Sequence, residues 1–373
     1  MTEDLLNLPL TLNGITLSPE EVKAWCHHRL ITAEHDWEKN LANFLLQWYD
    51  AAQPAITAQT SGSTGTPRTL YFSREAMFES ARRTCNFFGL RKGMTALLCL
   101  NTSFIAGKMM VVRALAGGLN LIVAPPVQNP LQGIITPPDF VAMVPTQIIA
   151  ALKNPDTNHV LQNTKTILIG GAPLPAAVET RLASLHSDAW ITYGMTETLT
   201  HIAVRRVGED PPAFRPLPGV TLTTALDETL CIYAPFLESE IKTNDLAEIL
   251  PDGRFILKGR ADFVINSGGI KIFPEQLEQR LSPFFRRPFF VTGQSHPVLG
   301  EVPVIIAEAS LITEKDIMEL SNFIATNIPR HERPFALVPV RQIIMSAGGK
   351  ILRIQTLHAE INQPVINIEL NYD

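Results

Sequence analysis

The sequence predicts an α/β protein. It has a large N-terminal domain on a mostly parallel sheet with a small β subdomain, followed by a small α+β C-terminal domain. Three observations predict this. From about residue 70 to 205, short continuous apolar runs alternate with amphipathic ones, the pattern of buried parallel strands and their covering helices. From about Pro216 to Arg260 the runs become short and alternating, and turn formers such as Pro251-Asp252-Gly253 separate them, as in an antiparallel sheet. After Arg260 a mixed pattern resumes for about 110 residues, enough for a further small domain. The expected division is therefore 1–260, with the β subdomain over about 206–260, and 261–373, with the junction at Gly259–Asp262.

The elements follow in order. Ser73 is a natural N-cap for a helix with Ala76, Met77, Ser80, Ala81 and Cys85 on one face. Thr95–Leu100 is a short apolar strand, Ser103–Ala116 is helical in pattern, and Leu119–Ala124 is a second buried strand. Phe140–Val144, Thr166–Ile169 and Trp190–Thr192 read as further strands, with helices near Thr146–Lys153 and Pro175–Leu185 between them. In the β subdomain the alternating runs are Thr221–Thr224, Leu230–Tyr233, Ala247–Leu250 and Arg254–Lys258. Beyond Arg260 come a strand, a Gly-Gly turn, a strand and a helix opening at Pro274-Glu275.

Composition excludes several classes. Of 373 residues, 46% are hydrophobic and 18% charged, which predicts a large buried core. A net charge of −5 gives no general attraction to nucleic acid or to an anionic membrane. Cys26, Cys85, Cys99 and Cys231 are scattered without metal-ligand spacing, so a reducing cytoplasm is expected. The N-terminus carries Glu3 and Asp4 rather than a basic region and an apolar run, so no signal peptide is expected. The apolar region Thr95–Val127 is broken by Asn101, Lys108, Arg113, Asn120 and two prolines, so it reads as core and not as a membrane span.

Five strings carry chemistry. Thr60, Ser61, Gly62, Ser63, Thr64, Gly65, Thr66, Pro67 and Arg68 form a run of small residues closed by a cation. Such a backbone can approach a ligand closely and converge N–H groups and hydroxyls on phosphate. Gly170-Gly171-Ala172-Pro173 follows a strand at the sheet edge where ligands collect. Tyr193-Gly194-Met195-Thr196-Glu197-Thr198 offers hydroxyls and one carboxylate able to hold magnesium. Thr243-Asn244-Asp245 and, later, Lys258-Gly259-Arg260-Ala261-Asp262 bring a carboxylate and a guanidinium suited to a sugar. Ala347-Gly348-Gly349-Lys350 puts a lysine on a glycine hinge.

In this order and spacing the strings, with Ser267-Gly268-Gly269-Ile270-Lys271-Ile272, resemble the adenylate-forming (AMP-binding) superfamily of acyl- and aryl-CoA ligases over roughly residues 55–360. The resemblance implies a two-step reaction with ATP, magnesium and coenzyme A. A carboxylic acid is first joined to AMP, and a thiol then displaces the AMP. It implies that residues 61–65 hold the departing phosphates and that Gly171, Ala172 and Pro173 lie along the adenine, with Tyr193 beside it. Thr196 would touch the α-phosphate, Glu197 would bind magnesium, Asp245 and Arg260 would take the ribose, and Lys350 would drive adenylation. Asp262 would be the hinge of a mobile C-terminal domain, and Gly268, Gly269 and Lys271 would line the coenzyme A route. Two departures stand out. Arg68 replaces a customary lysine, and only about 55 residues precede the phosphate loop, fewer than is usual in the family.

Within that superfamily, compactness and the wording of Phe104-Ile105-Ala106-Gly107-Lys108, Met143–Gln147 and the Tyr193–Thr198 string are similar to the o-succinylbenzoate–CoA ligases of menaquinone biosynthesis, with a shortened N-terminus. Such an acid needs apolar walls and a cation for its unreacted carboxylate. Phe104, Lys108, Arg113 and His201 are the candidates for that pocket, with Arg113 foremost because a guanidinium matches a carboxylate bidentately. A packed or surface histidine, rather than a ligand, is the better reading of His201. Rival expectations are another aryl or fatty acyl-CoA ligase, an enzyme that loads a carrier protein, and a non-catalytic nucleotide-binding regulator. Retention of Glu197 and Lys350 argues against the last.

Overall fold

The structure is a computed structural model and describes residues 2–59, 68–285, 287–308, 314–346, 349–359 and 366–367. Its main sheet has nine strands in the order Arg215–Pro216, His201–Arg206, Asp188–Gly194, Thr166–Ile169, Phe140–Met143, Thr95–Leu98, Asn120–Val123, Leu10–Leu12 and Ile15–Leu17. Pairing is parallel from Asp188–Gly194 through Leu10–Leu12 and antiparallel at both margins. Every residue of Thr166–Ile169 is buried, which is why that strand reads as an unbroken apolar run.

Helices Arg74–Phe87 and Ile105–Gly117 pack against each other beside this sheet. Ser73 caps the first as expected, its Oγ accepting from Ala76 N at 3.1 Å. The second ends on Gly118, whose φ of 61° suits a residue without a Cβ. At its start a Cβ on Gly107 would lie 2.4 Å from the Asn101 carbonyl oxygen, so glycine lets loop 101–104 cross the first turn.

The region before residue 55, to which sequence reasoning assigned no elements, is well structured. Helices Pro19–Thr32 and Asp36–Tyr49 pack together, and the second buries Phe44, Leu45, Trp48 and Tyr49. Arg74 holds its C-terminal end, donating to the carbonyls of Gln47, Trp48, Asp50 and Gln53, each at 2.7 Å. A buried guanidinium thus takes its acceptors from the negative end of a helix. Strands Ile56–Gln59 and Thr69–Phe72 pair antiparallel and bracket the segment 60–67.

A four-stranded antiparallel sheet comprises Thr221–Thr224, Thr229–Tyr233, Ile241–Ile249 and Phe255–Arg260. Beyond it six strands, Ile265–Ser267, Ile270–Ile272, Phe289–His296, Gly300–Glu308, Ala336–Val340 and Ile366–Asn367, form a third sheet. Its core, built on Leu277, Ile305, Ile324 and Leu337, is distinct from the cores of the main sheet. Among the described residues no helix is long and apolar enough to cross a membrane.

Candidate active site

The parallel strands deliver their loops to one edge of the main sheet. Thr166–Ile169 ends in Gly170-Gly171-Ala172-Pro173. A Cβ on Gly170 would meet Thr192 Oγ1 at 2.4 Å, and Gly171 has φ 93°, so both positions call for glycine. Thr192 Oγ1 in turn donates to the Ile169 carbonyl at 3.1 Å and joins the two strand ends.

The loop after Asp188–Gly194 is anchored from beneath. Thr198 is fully buried; its Oγ1 accepts from Met195 N at 2.9 Å and lies 2.7 Å from the Thr200 carbonyl, to which it donates. Leu199, also buried, takes the left-handed conformation at φ 67°, a strained setting for a leucine. A Cβ on Gly194 would lie 2.2 Å from the Thr200 oxygen. The loop therefore lifts Thr196 and Glu197 outward, and Glu197 is exposed with no hydrogen bond or salt bridge among the described residues. The anchoring role of Thr198 was missed from sequence, where it reads as one more hydroxyl in the string.

Tyr193 points the other way, only 7% exposed and packed against Phe255 and Phe214. Its hydroxyl donates to Asp245 Oδ2 at 2.7 Å. Burial and then the Asp245 charge push the phenol well above the usual tyrosine range, so it stays protonated and donating. Asp245 stands opposite Arg260 in the strand register, and Arg260 Nη1 donates to Asp245 Oδ1 at 3.3 Å. The other guanidinium nitrogen donates to Asp262 Oδ2 at 2.8 Å, while Asp262 Oδ1 accepts from Asn244 at 2.9 Å. Arg260 Nε is buried without a partner. The sequence strings around Asp245, Arg260 and Asp262 thus meet in one charged chain at the end of the β subdomain.

Lys350 comes to this cluster from the far end of the chain. Met345 and Ile351 form a bridge, Ser346 N donates to the Lys350 carbonyl at 2.8 Å, and Lys350 N donates to Ser346 Oγ at 3.0 Å. Gly349, with φ 79°, lies so near the helix Pro145–Lys153 that a Cβ would sit 3.7 Å from Thr146 Cγ2. The lysine keeps an exposed side, yet its inner side is crowded enough that burial holds its pKa below the ordinary lysine value. Arg260 pushes in the same direction, and Asp245 and Glu197 oppose it. Three strings distant in sequence therefore share one electrostatic field.

The four acid-pocket candidates occupy two surroundings. Arg113 is 2% exposed, and its Nη2 donates to Thr200 Oγ1 at 3.0 Å and to His201 Nδ1 at 3.3 Å. Since arginine has no acceptor, the His201 proton is assigned to Nε2, which faces Thr84 Oγ1 at 3.2 Å. Burial and then Arg113 keep the His201 pKa well below its ordinary value, and burial lowers Arg113 to about 10. Of the packed and surface readings left open by the sequence, the structure shows the packed one, with a neutral ring. Lys108, by contrast, faces a cleft beside Phe44, and Phe104 is 45% exposed. Gln147 of the Met143–Gln147 string ties neighbouring loops, its Nε2 donating to the carbonyls of Cys99 at 2.9 Å and Val127 at 3.1 Å.

Thr60, Ser61, Gly62, Ser63, Thr64 and Gly65 lie outside the described residues, and Arg68 is exposed at the entrance to Thr69–Phe72. Gly268 and Gly269, at φ 57° and 84°, form an exposed turn, and Lys271 pairs at 3.6 Å with Glu228 of the β subdomain. Among the described residues no group of three or more His, Cys, Asp or Glu side chains is placed to hold a metal. A single exposed carboxylate, Glu197, suits an ion that brings most of its oxygen ligands with it on a nucleotide.

The family described as AMP-binding enzyme matches residues 17–237, more than half of the chain. The 2-succinylbenzoate–CoA ligase of Haemophilus influenzae is 26% identical over 345 residues, covering 86% of this chain and 75% of that protein. An AMP-forming acyl-CoA synthetase/AMP-acid ligase II-like protein from Dyadobacter fermentans is 30% identical, covering 90% of this chain and 98% of its own, with a TM-score of 0.59. The o-succinylbenzoate CoA synthetase of Bacillus subtilis, solved with its acyl-adenylate intermediate, has the same fold at a TM-score of 0.73 and 16% identity, covering 94% and 95% of the two chains.

Proposed function

The chain belongs to the AMP-binding enzyme family, and we propose that it is an ATP-dependent acid–CoA ligase acting on o-succinylbenzoate. The convergence of Lys350 with Glu197, Asp245 and Arg260 carries this reading. In the first step an acid oxygen attacks the α-phosphorus and the bond to pyrophosphate breaks. In the second the coenzyme A thiol, giving up its proton, attacks the acyl carbon and AMP leaves with the bonding electrons.

The first step brings two anions together, so its barrier falls when fixed cations face the oxygens that gain charge. Lys350 is the cation, and Asp245 and Glu197 keep it charged despite its crowding. Asp245 and Arg260 take the ribose hydroxyls, a role supported by the buried, unpartnered Arg260 Nε. Thr196 donates to the α-phosphate from a loop that Thr198 holds rigid. Glu197 would hold magnesium, which, bound with ATP, neutralises phosphate charge. Tyr193 positions Asp245 through its hydroxyl and offers a ring edge to the base. Residues 261–373 act as a mobile unit hinged at Asp262, so that Lys350 withdraws and Gly268, Gly269 and Lys271 come to the thiol route. Relatives that carry the succinylbenzoate name support the choice of acid, and four buried free cysteines suit a cytoplasmic setting.

The deciding experiment measures coenzyme A-dependent formation of AMP and pyrophosphate with o-succinylbenzoate, benzoate, a medium-chain fatty acid and an amino acid. Strong preference for o-succinylbenzoate, with its thioester seen by mass spectrometry, is expected. Pyrophosphate release only with another acid would retain the chemistry and reject the substrate. No turnover with any of them would favour a carrier-loading enzyme or a nucleotide-binding regulator.

A further inference from the structure

Lys350 Nζ makes no hydrogen bond or ion pair with any described residue, so its place is set by the backbone that carries it. That backbone is a hairpin, closed by Leu352 N donating to the Ile344 carbonyl and Ser346 N donating to the Lys350 carbonyl, each at 2.8 Å. At the hairpin's foot stands Arg353, the first residue of helix Arg353–Ala359, with a side chain only 12% exposed. Arg353 Nη1 donates to the Val291 carbonyl at 2.7 Å, and Nη2 donates to Glu278 Oε2 at 2.9 Å. Glu278 Oε1 in turn accepts from Val291 N at 2.7 Å. The edge of the guanidinium is thereby fixed to helix Pro274–Leu281 and strand Phe289–His296.

A guanidinium whose edge is engaged still has its flat faces to offer, and aromatic rings stack on them. Arg353 Cζ lies 4.7 Å from the centroid of the Phe263 ring and 5.6 Å from that of Phe290. The same Phe263 ring also lies 5.9 Å from Arg260 Cζ. Phe263 directly follows Asp262 in the short turn Ala261–Phe263. One ring beside the hinge thus joins the foot of the Lys350 hairpin to the arginine that Asp245 and Asp262 hold. A second contact spans the same junction. Glu275 Oε1 is 3.8 Å from Arg353 Nη2, and its Oε2, buried without a partner, lies 2.6 Å from where a Cβ on Gly259 would stand. Burial raises both carboxyls, Glu278 to about 7, and Arg353 opposes the rise. Two crowded acids therefore share Arg353 and restrain it against Phe263.

We propose that Arg353 is a positioning residue for acyl-adenylate formation: stacked on Phe263, it sets the Lys350 hairpin against the Arg260 arm. This rests on the acid–CoA ligase reading above. The test follows ATP–pyrophosphate exchange with o-succinylbenzoate and, separately, conversion of supplied o-succinylbenzoyl-adenylate with coenzyme A. Arg353→Met is expected to lower kcat for exchange at least about tenfold, with KM for ATP and the second half-reaction each within about threefold. Phe263→Leu should repeat this split, and Phe263→Tyr, which keeps the ring, should restore exchange to within about threefold. In a Lys350→Ala background, Arg353→Met should cost less than about twofold more, because the lysine through which it acts is gone. Equal loss of both half-reactions, unchanged exchange, or a full further loss in the Lys350→Ala background would overturn the proposal. Should Arg353→Met not fold, the Phe263 pair carries the same comparison, alone and in the Lys350→Ala background. If the wild type shows no exchange with any of the four acids named above, the ligase reading fails, and the contact is judged by hydrogen exchange at the Ser346 and Leu352 amides. Exchange at least about fivefold faster in Phe263→Leu but not in Phe263→Tyr supports it; equal rates in wild type and Phe263→Leu overturn it.

Discussion

His201 shows how one contact fixes the chemistry of a side chain. Arg113 must donate, so Nδ1 must accept, and the ring is neutral. The folded protein resists protonation here, whereas in the unfolded chain the ring takes a proton near its ordinary value of 6.5. Below that pH the unfolded chain holds the extra proton, so stability falls as pH falls, by at most ~1.4 kcal/mol per pH unit. Urea unfolding between pH 5 and 7.5 is expected to show this slope and to lose it in His201→Gln. Lys350 gives a second test. Lys350→Ala should slow adenylate formation at least ~100-fold yet still convert supplied acyl-adenylate with coenzyme A. Equal loss of both half-reactions would remove the lysine from its assigned step. At this scale Lys350, Glu197, Asp245 and Arg260 were legible because each sits in a string whose residue types already imply a ligand. Thr198 and Arg113 were not, since what they do depends on contacts with Met195, Thr200 and His201 that no local pattern encodes.

Among the elements, strand Thr166–Ile169 was readable to the residue because burial on both faces leaves an uninterrupted apolar run. Helix Arg74–Phe87 was readable from its serine cap. Strand His201–Arg206 was not, because it opens on a histidine and closes on two arginines. Arg74 also escaped notice, since a cation in a first helical turn reads as solvated; here it closes the end of helix Asp36–Tyr49. Arg74→Met should therefore cost about 3 kcal/mol, read as a lowered denaturation midpoint. Gly194→Ala drives a Cβ into backbone at Thr200 and His201, where no rotamer relieves it. It is expected to lose about 1–3 kcal/mol, with a larger fall in adenylation than Ala substitution at exposed Gly253, where a Cβ meets nothing.

For the molecule as a whole, the succession of parallel sheet, antiparallel subdomain and mixed C-terminal segment was visible as changes in hydrophobic period. The placement of Lys350 over the first segment was not, because nothing local ties Gly349 to Thr146 across the sequence. Contacts between the segments are modest, among them the exposed Lys271–Glu228 pair and Glu275 against Gly259. Ala261→Pro, which stiffens the short turn Ala261–Phe263 and keeps the Asp262 carboxylate that Arg260 and Asn244 donate to, should leave ATP–pyrophosphate exchange intact and slow thioester formation more than ~10-fold. Equal slowing of both would place the hinge elsewhere. Arg74 also bears on the order in which the chain comes together. It sits on helix Arg74–Phe87 yet closes four carbonyls at and just beyond the end of helix Asp36–Tyr49. Neither helix can leave the other without stranding a buried charge, so the two rise and melt as one.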